Sequence, residues 1–177
     1  WVRKNIPALE VESVADHSHR LAIMAMLASA GDPAIDQSRC VRMALVHDLA
    51  EALAGDITPH DGVSKEEKHA REAAAMATLC DALGGAGAKE VRALWDEYEA
   101  GQTGEARLVK DLDKVEMILQ ATEYEAADAS RNLGEFFDST NGKFTTAAGA
   151  ELASAVAAAR EEQQKQSKAS PDPPSGE

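Results

Sequence analysis

Ala44-Leu45-Val46-His47-Asp48-Leu49-Ala50-Glu51-Ala52-Leu53 is the stretch from which the fold is read. No glycine or proline interrupts it before Gly55, and Val41, Leu45, Leu49 and Leu53 recur every four residues, so the spacing predicts a helix. Asp36 is placed to cap its start and Gly55 to end it. Inside this apolar run stand three polar residues, His47, Asp48 and Glu51. Burying such groups without partners is costly, so their presence asks for an explanation.

Helical signals continue on both sides. Upstream, Ser13 and Asp16 read as a capping box for a helix that reaches about Ala30 and stops at Gly31-Asp32-Pro33. Downstream, residues 55–62 have loop chemistry throughout. Ser64 and Glu67 then open a helix reaching about Leu83, where Gly84-Gly85 stops it. A fourth helix carries Val91, Leu94, Trp95 and Tyr98 and ends near Gly101. A fifth runs from about Thr103 to Ala129 on a stripe of Leu108, Val109, Leu112, Val115 and Leu119. A short helix fits Leu133–Phe137, and an alanine-rich one fits Ala147–Arg160. From Glu161 the chain turns polar and ends Ser-Pro-Asp-Pro-Pro-Ser-Gly-Glu. Residues 161–177 therefore read as a disordered tail. The fold class is all-α, a single helical bundle of five to six main helices over residues 1–160.

With 177 residues the chain is long enough for one domain with a substantial core. Net charge is −13, from 31 acidic and 18 basic residues, which argues against a protein that coats a nucleic-acid polymer. It does not argue against a small phosphate substrate, because a divalent metal held by acidic side chains supplies positive charge locally. Cys40 and Cys80 form no CxxC pair and read as small buried hydrophobes in a reducing compartment. No apolar run has the length of a membrane span. The chain starts at Trp1 rather than Met, so the expectation is a segment lost upstream, with any targeting signal in it, and a place in the cytoplasm or an organelle lumen.

The polar residues on apolar faces fall in three helices. His17 lies four residues before Leu21 and seven before Met24. His47 and Asp48 sit among Leu45, Val46 and Leu49, with Glu51 one turn on. Asp113 follows Val109 by four and precedes Met117 by four. Two imidazoles and two carboxylates from three helices can converge on one divalent cation, and mixed nitrogen and oxygen donors suit Zn, Mn, Fe, Co or Ni better than Ca. Taken singly, each signal means little, since a lone helical histidine is more often a satisfied core or surface residue. Order and context give the set its weight.

The pattern His17 … His47-Asp48 … Asp113 resembles the HD-domain metal phosphohydrolases. The longer stretch Ala44–Pro59 is more specific and resembles the HD-domain 5′-deoxynucleotidases, whose eukaryotic branch fits best. Glu12–Ser18, Lys65–His69, Leu94–Glu99 and Leu112–Met117 agree with it.

The resemblance implies an all-helical, homodimeric enzyme that hydrolyses nucleoside 5′-monophosphates, deoxynucleotides above all, with a divalent transition metal. By position it makes His17, His47, Asp48 and Asp113 the metal ligands, and sets Glu51 beside the attacking water or the phosphate. It turns Asp56 to the deoxyribose, with Ile57, Thr58 and Pro59 lining sugar and phosphate. In the eukaryotic branch Glu51, Asp56 and Ile57 instead help hold a second cation such as Mg. Trp1 matches a substrate-side tryptophan, but the arginine that precedes it in bacterial members has no counterpart here. Lys65, Lys68, Lys110 and Lys114 are the candidates to replace it, and Lys65 is placed on the substrate side. His60 reads as exposed, His69 as a structural neighbour of the site, and Asp96, Glu97 and Glu99 as a solvated face. Two rivals remain at this level: another HD phosphohydrolase, acting on cyclic nucleotides or nucleoside polyphosphates, and a non-catalytic helical module stabilised by its metal.

Overall fold

A computed structural model describes residues 1–58 and 61–169, with side chains through 166. Pro59, His60 and residues 170–177 lie outside the described residues. Among the described residues, a 3₁₀ turn at Val2–Lys4 precedes eight helices: α1 Val14–Ala28, α2 Gln37–Val46, α3 Glu51–Ala54, α4 Lys65–Leu83, α5 Gly85–Ala100, α6 Gly104–Ala127, α7 Gly134–Thr140 and α8 Ala147–Ala169. The described residues contain no strand, and none of their helices is long and apolar enough to cross a membrane. The chain divides into two compact units, one of Glu12–Lys110 and one of Trp1–Val11 with the chain from Asp111 onward.

In the Glu12–Lys110 unit the caps act as the sequence predicts. The Ser13 hydroxyl accepts from the Asp16 amide at 3.1 Å, and the Asp16 carboxylate accepts back from the Ser13 amide at 3.0 Å. Asp36 caps α2 through the Arg39 amide, and Ser64 caps α4 through the Glu67 amide. Gly101 ends α5 with φ 62°, the left-handed conformation that glycine adopts without cost. Around Trp95, which is 1% exposed, Ala50, Ala75 and Met76 form a core cluster. Cys40 and Cys80 are free thiols, and burial pushes Cys40 up to about 12.

The helix around His47-Asp48 differs from expectation. It does not run unbroken to Gly55: α2 ends at Val46 and α3 begins only at Glu51. Between them His47 and Ala50 keep helical angles, but the bonds tighten to the i→i+3 pattern, with the Leu49 amide on the Val46 carbonyl, Glu51 on Asp48 and Leu53 on Ala50. The buried stripe is not Val41-Leu45-Leu49-Leu53 either. Leu45 and Leu53 are 49% and 56% exposed, while Cys40, Met43, Ala44, His47 and Ala50 are buried. Repeats of four drift about 40° per step around a helix of 3.6 residues per turn, and small side chains let α2 pack closely. The imidazole of His47 therefore lies in the buried register.

In the other unit, Trp1 packs edge-on against Tyr124 at 5.1 Å and against Phe136 at 4.6 Å, beside Ile6, Ala121 and Leu133. Asp111 on α6 closes the start of α8. Its Oδ2 accepts from the Thr145 and Thr146 amides, both at 2.7 Å, and from both threonine hydroxyls, while Lys114 pairs with Oδ1 at 3.0 Å. Within the polar tail, residues 161–169 continue α8 as far as Ala169, and 170–177 lie outside the described residues. Arg160 binds buried Glu125 through two nitrogens, at 2.7 and 2.8 Å, and stacks over Phe137. Gln163 and Gln164 are half-buried. These contacts continue the helix where composition alone favours none.

Candidate metal centre

Three donor atoms meet in the Glu12–Lys110 unit. His17 Nε2 on α1 lies 3.2 Å from His47 Nε2 at the end of α2. Asp48 Oδ2 is 3.1 Å from His47 Nε2 and 3.6 Å from His17 Nε2. His47 Nδ1 sits 2.8 Å from the Ala44 carbonyl, which only accepts, so Nδ1 carries the hydrogen and Nε2 presents its lone pair.

This triangle fits a metal ion. Two nitrogens each about 2.1 Å from one ion and subtending about 90–110° lie roughly 3.0–3.4 Å apart. The observed 3.2 Å falls inside that range. The imidazole anchored on a backbone carbonyl is the usual arrangement of a metal-binding histidine. His47 is 2% exposed and Asp48 is half-buried, so the donors are drawn out of water without being sealed from it.

Acidic groups crowd the neighbouring face. Burial pushes the Glu51 carboxyl up to about 8, the charges of Asp48 and Asp56 add to the shift, and Lys68 opposes it. Glu72 on α4 is buried and also raised, by burial first, against the opposing charge of Lys68. Lys68 Nζ lies 3.4 Å from Glu72 Oε1 and is held above its ordinary value, because the carboxylates of Glu72, Glu51 and Asp48 outweigh the burial that lowers it. Lys68 is thus the cation that faces the carboxylates, whereas Lys65 is exposed at the first position of α4.

Other sequence-picked residues are placed as follows. Ile57 is buried and Thr58 is tied to Asp61, whose carboxylate accepts from the Thr58 amide at 2.8 Å and its hydroxyl at 2.7 Å. Pro59 and His60 fall outside the described residues. Asp113 lies on α6 in the other unit and is half-buried, and Trp1 is packed in that unit's core. His69 stacks on Trp95 and bonds Glu99 at 3.0 Å, in keeping with a structural role. Of the acidic residues expected on a solvated face, Asp96 is exposed, while Glu97 and Glu99 are half-buried. Glu97 is held by Arg39 and Thr103, Glu99 by His69 and Lys110, and Asp96 by Arg92.

Sequence reasoning missed Glu72 and Tyr98 as neighbours of the site. Glu72 shares the buried register of Ala75 and Met76 and follows Lys68 by four, a signal that was available. The Tyr98 ring meets the His47 ring edge-on at 5.0 Å, which no spacing within α5 announces.

A family model described as HD domain matches residues 1–155. The chain is 48% identical over 145 residues to the 5′-deoxynucleotidase HDDC2 of Homo sapiens, covering 81% of this chain and 69% of that protein. It is 48% identical over 154 residues to the 5′-deoxynucleotidase HDDC2 of Dictyostelium discoideum, covering 81% and 80%. Among solved structures, HD domain-containing protein YGK1 superposes with a TM-score of 0.69 at 30% identity, covering 86% of this chain and 79% of that one. A predicted metal-dependent phosphohydrolase from Magnetospirillum magnetotacticum superposes at 0.66 with 33% identity, covering 88% and 81%.

Proposed function

The chain belongs to the HD-domain family, and we propose that it is a metal-dependent 5′-deoxynucleotidase that hydrolyses deoxynucleoside 5′-monophosphates to nucleoside and phosphate. The observation that carries this reading is the convergence of His17, His47 and Asp48, with mutual distances of 3.1 to 3.6 Å, in a chain so similar to 5′-deoxynucleotidases. Asp113 enters as fourth ligand through the sequence pattern alone. The mixed nitrogen and oxygen donors suit Mn, Co, Zn, Fe or Ni, and the cluster of Glu51 and Asp56 suits an additional Mg.

When bound, a divalent ion supplies charge against the phosphoryl oxygens and lowers the pKa of water. The residues do the rest. Water oxygen attacks phosphorus, the bond from phosphorus to the 5′ oxygen breaks, and a proton must reach that oxygen. Glu51, whose carboxyl burial and acidic neighbours push up to about 8 in the metal-free chain, is the group we assign to exchange that proton as general acid or base. Lys68, among Glu51, Asp48 and Glu72, is the lysine we assign to the phosphate, and Lys65, exposed three positions earlier, stays a candidate on the substrate side. Asp56, Ile57 and Thr58, with Pro59, form the sugar side by their likeness to the family. The active form is a homodimer, for which the exposed Ile23, Met26 and Leu27 on α1 offer an apolar face; a solution mass of one chain would remove this part.

The experiment is phosphate release from a panel of deoxynucleoside and ribonucleoside 5′-monophosphates, with each metal supplied in turn. Cyclic nucleotides and a nucleoside polyphosphate complete the panel. Preferential release from deoxynucleoside monophosphates supports the reading. Turnover confined to cyclic or polyphosphate substrates, or none with any metal, would overturn it.

A further inference from the structure

The His47 ring is held by more than the hydrogen bond from Nδ1 to the Ala44 carbonyl. That bond limits rotation of the ring but leaves the side chain free to tilt away from α2. A second restraint is Tyr98 on α5. Its ring lies 5.0 Å from the His47 ring at an interplanar angle of 65°, an edge-to-face contact, and Tyr98 is 6% exposed.

Tyr98 is itself fixed. Lys110 Nζ stands 4.0 Å from the Tyr98 ring centroid, a cation over an aromatic face. The carboxylate of Glu99 lies 4.0 Å from the same ammonium. The Lys110 stem reaches this position across Gly101, where a Cβ would sit 3.3 Å from Cε and 3.6 Å from Cδ. The glycine that ends α5 therefore also makes room for the lysine that holds the tyrosine.

We infer that Tyr98, seated by Lys110, is a positioning residue that aims His47 Nε2 at the point it shares with His17 and Asp48. This rests on the metal-centre reading above. The contact with His47 is made by ring face and edge, so it needs an aromatic ring at 98. An aliphatic side chain there lets His47 tilt, separating Nε2 from its two neighbours.

The test uses Co²⁺ alone as probe, reading its dissociation constant and its visible absorption on the full chain. Wild type, Tyr98→Phe, Tyr98→Leu, Lys110→Met and Lys110→Arg are compared. Tyr98→Phe, which keeps the ring, should lie closer to wild type in affinity and spectrum than Tyr98→Leu. Tyr98→Leu should bind about tenfold more weakly, the scale of losing a group that orients a ligand, with a displaced absorption band. Lys110→Met should shift the band in the same direction and Lys110→Arg should restore it; as Lys110 is partly exposed, these variants stand in should Tyr98→Leu not fold. Wild-type affinity and spectrum in both Tyr98→Leu and Lys110→Met would overturn the inference. Absence of Co²⁺ binding by wild type would overturn the metal centre itself, a separate result.

Discussion

The Nε2 atoms of His17 and His47 stand 3.2 Å apart although thirty residues separate them in sequence. Two imidazole nitrogens at that distance cannot both be protonated without repulsion. The arrangement is comfortable when both lone pairs meet one cation, and this fixes what should happen when that cation or either ring is removed.

Chelation with EDTA should abolish phosphate release, and added Co²⁺ or Mn²⁺ should restore it. His47→Ala and Asp48→Ala should lower activity at least 100-fold and stay low after metal is added back. A phosphate-release assay reads both. Wild-type turnover in either variant would exclude these residues as ligands.

Glu51→Gln should cost about 10²–10⁴ in turnover, the usual scale for losing a positioned proton-transfer group. In the metal-free protein it should do the opposite to stability. The folded-state carboxyl is raised to about 8 from an ordinary 4.5, so the folded chain binds more protons between those values and loses stability as pH rises through them. Metal-free Glu51→Gln should therefore melt higher than wild type at pH 8, and the gap should close near pH 4.5. Thermal melts across that range check the sign.

Asp111→Ala should destabilise by about 3 kcal/mol, because it removes the acceptor of two threonine amides at the start of α8 and an ion-pair partner of Lys114. Burial acts to raise this carboxyl, but the bonds from Lys114 and from Thr146 and Thr145 prevail and hold it below its ordinary value. Its contribution is then complete above the ordinary aspartate pKa and lost as pH falls through the lowered one. Acid unfolding followed by circular dichroism should show a gap between wild type and Asp111→Ala that narrows only at the acid end.

Gly149→Ala should destabilise by roughly 1–3 kcal/mol. An added Cβ would lie 2.6 Å from Asp111 Cβ and 2.9 Å from its Oδ2, and Asp111 is held too firmly to move aside. Chemical denaturation gives the value.

Much of the fold was legible because helix ends carry local chemistry. Ser13, Asp36, Ser64 and Gly101 mark ends that depend on one or two neighbouring residues. The cluster of His17, His47 and Asp48 was legible as residues, though not as geometry. What failed depends on distant partners. The exposed side of Leu45 and Leu53 follows from how small residues seat α2, and the length of α8 from Glu125 holding Arg160 across 35 positions. Tyr98 was read as one apolar residue of a stripe, since nothing near it in sequence points to His47.

The carbonyl of Ala44 has a wider consequence. At the end of α2 it would otherwise await a capping group or water, and it accepts the imidazole of His47 instead. The fold thus orders the ring before any ion arrives, so little conformational entropy remains to be lost on metal binding. The cost of ordering this ring then falls on folding, and the metal-free chain should already hold it in one orientation.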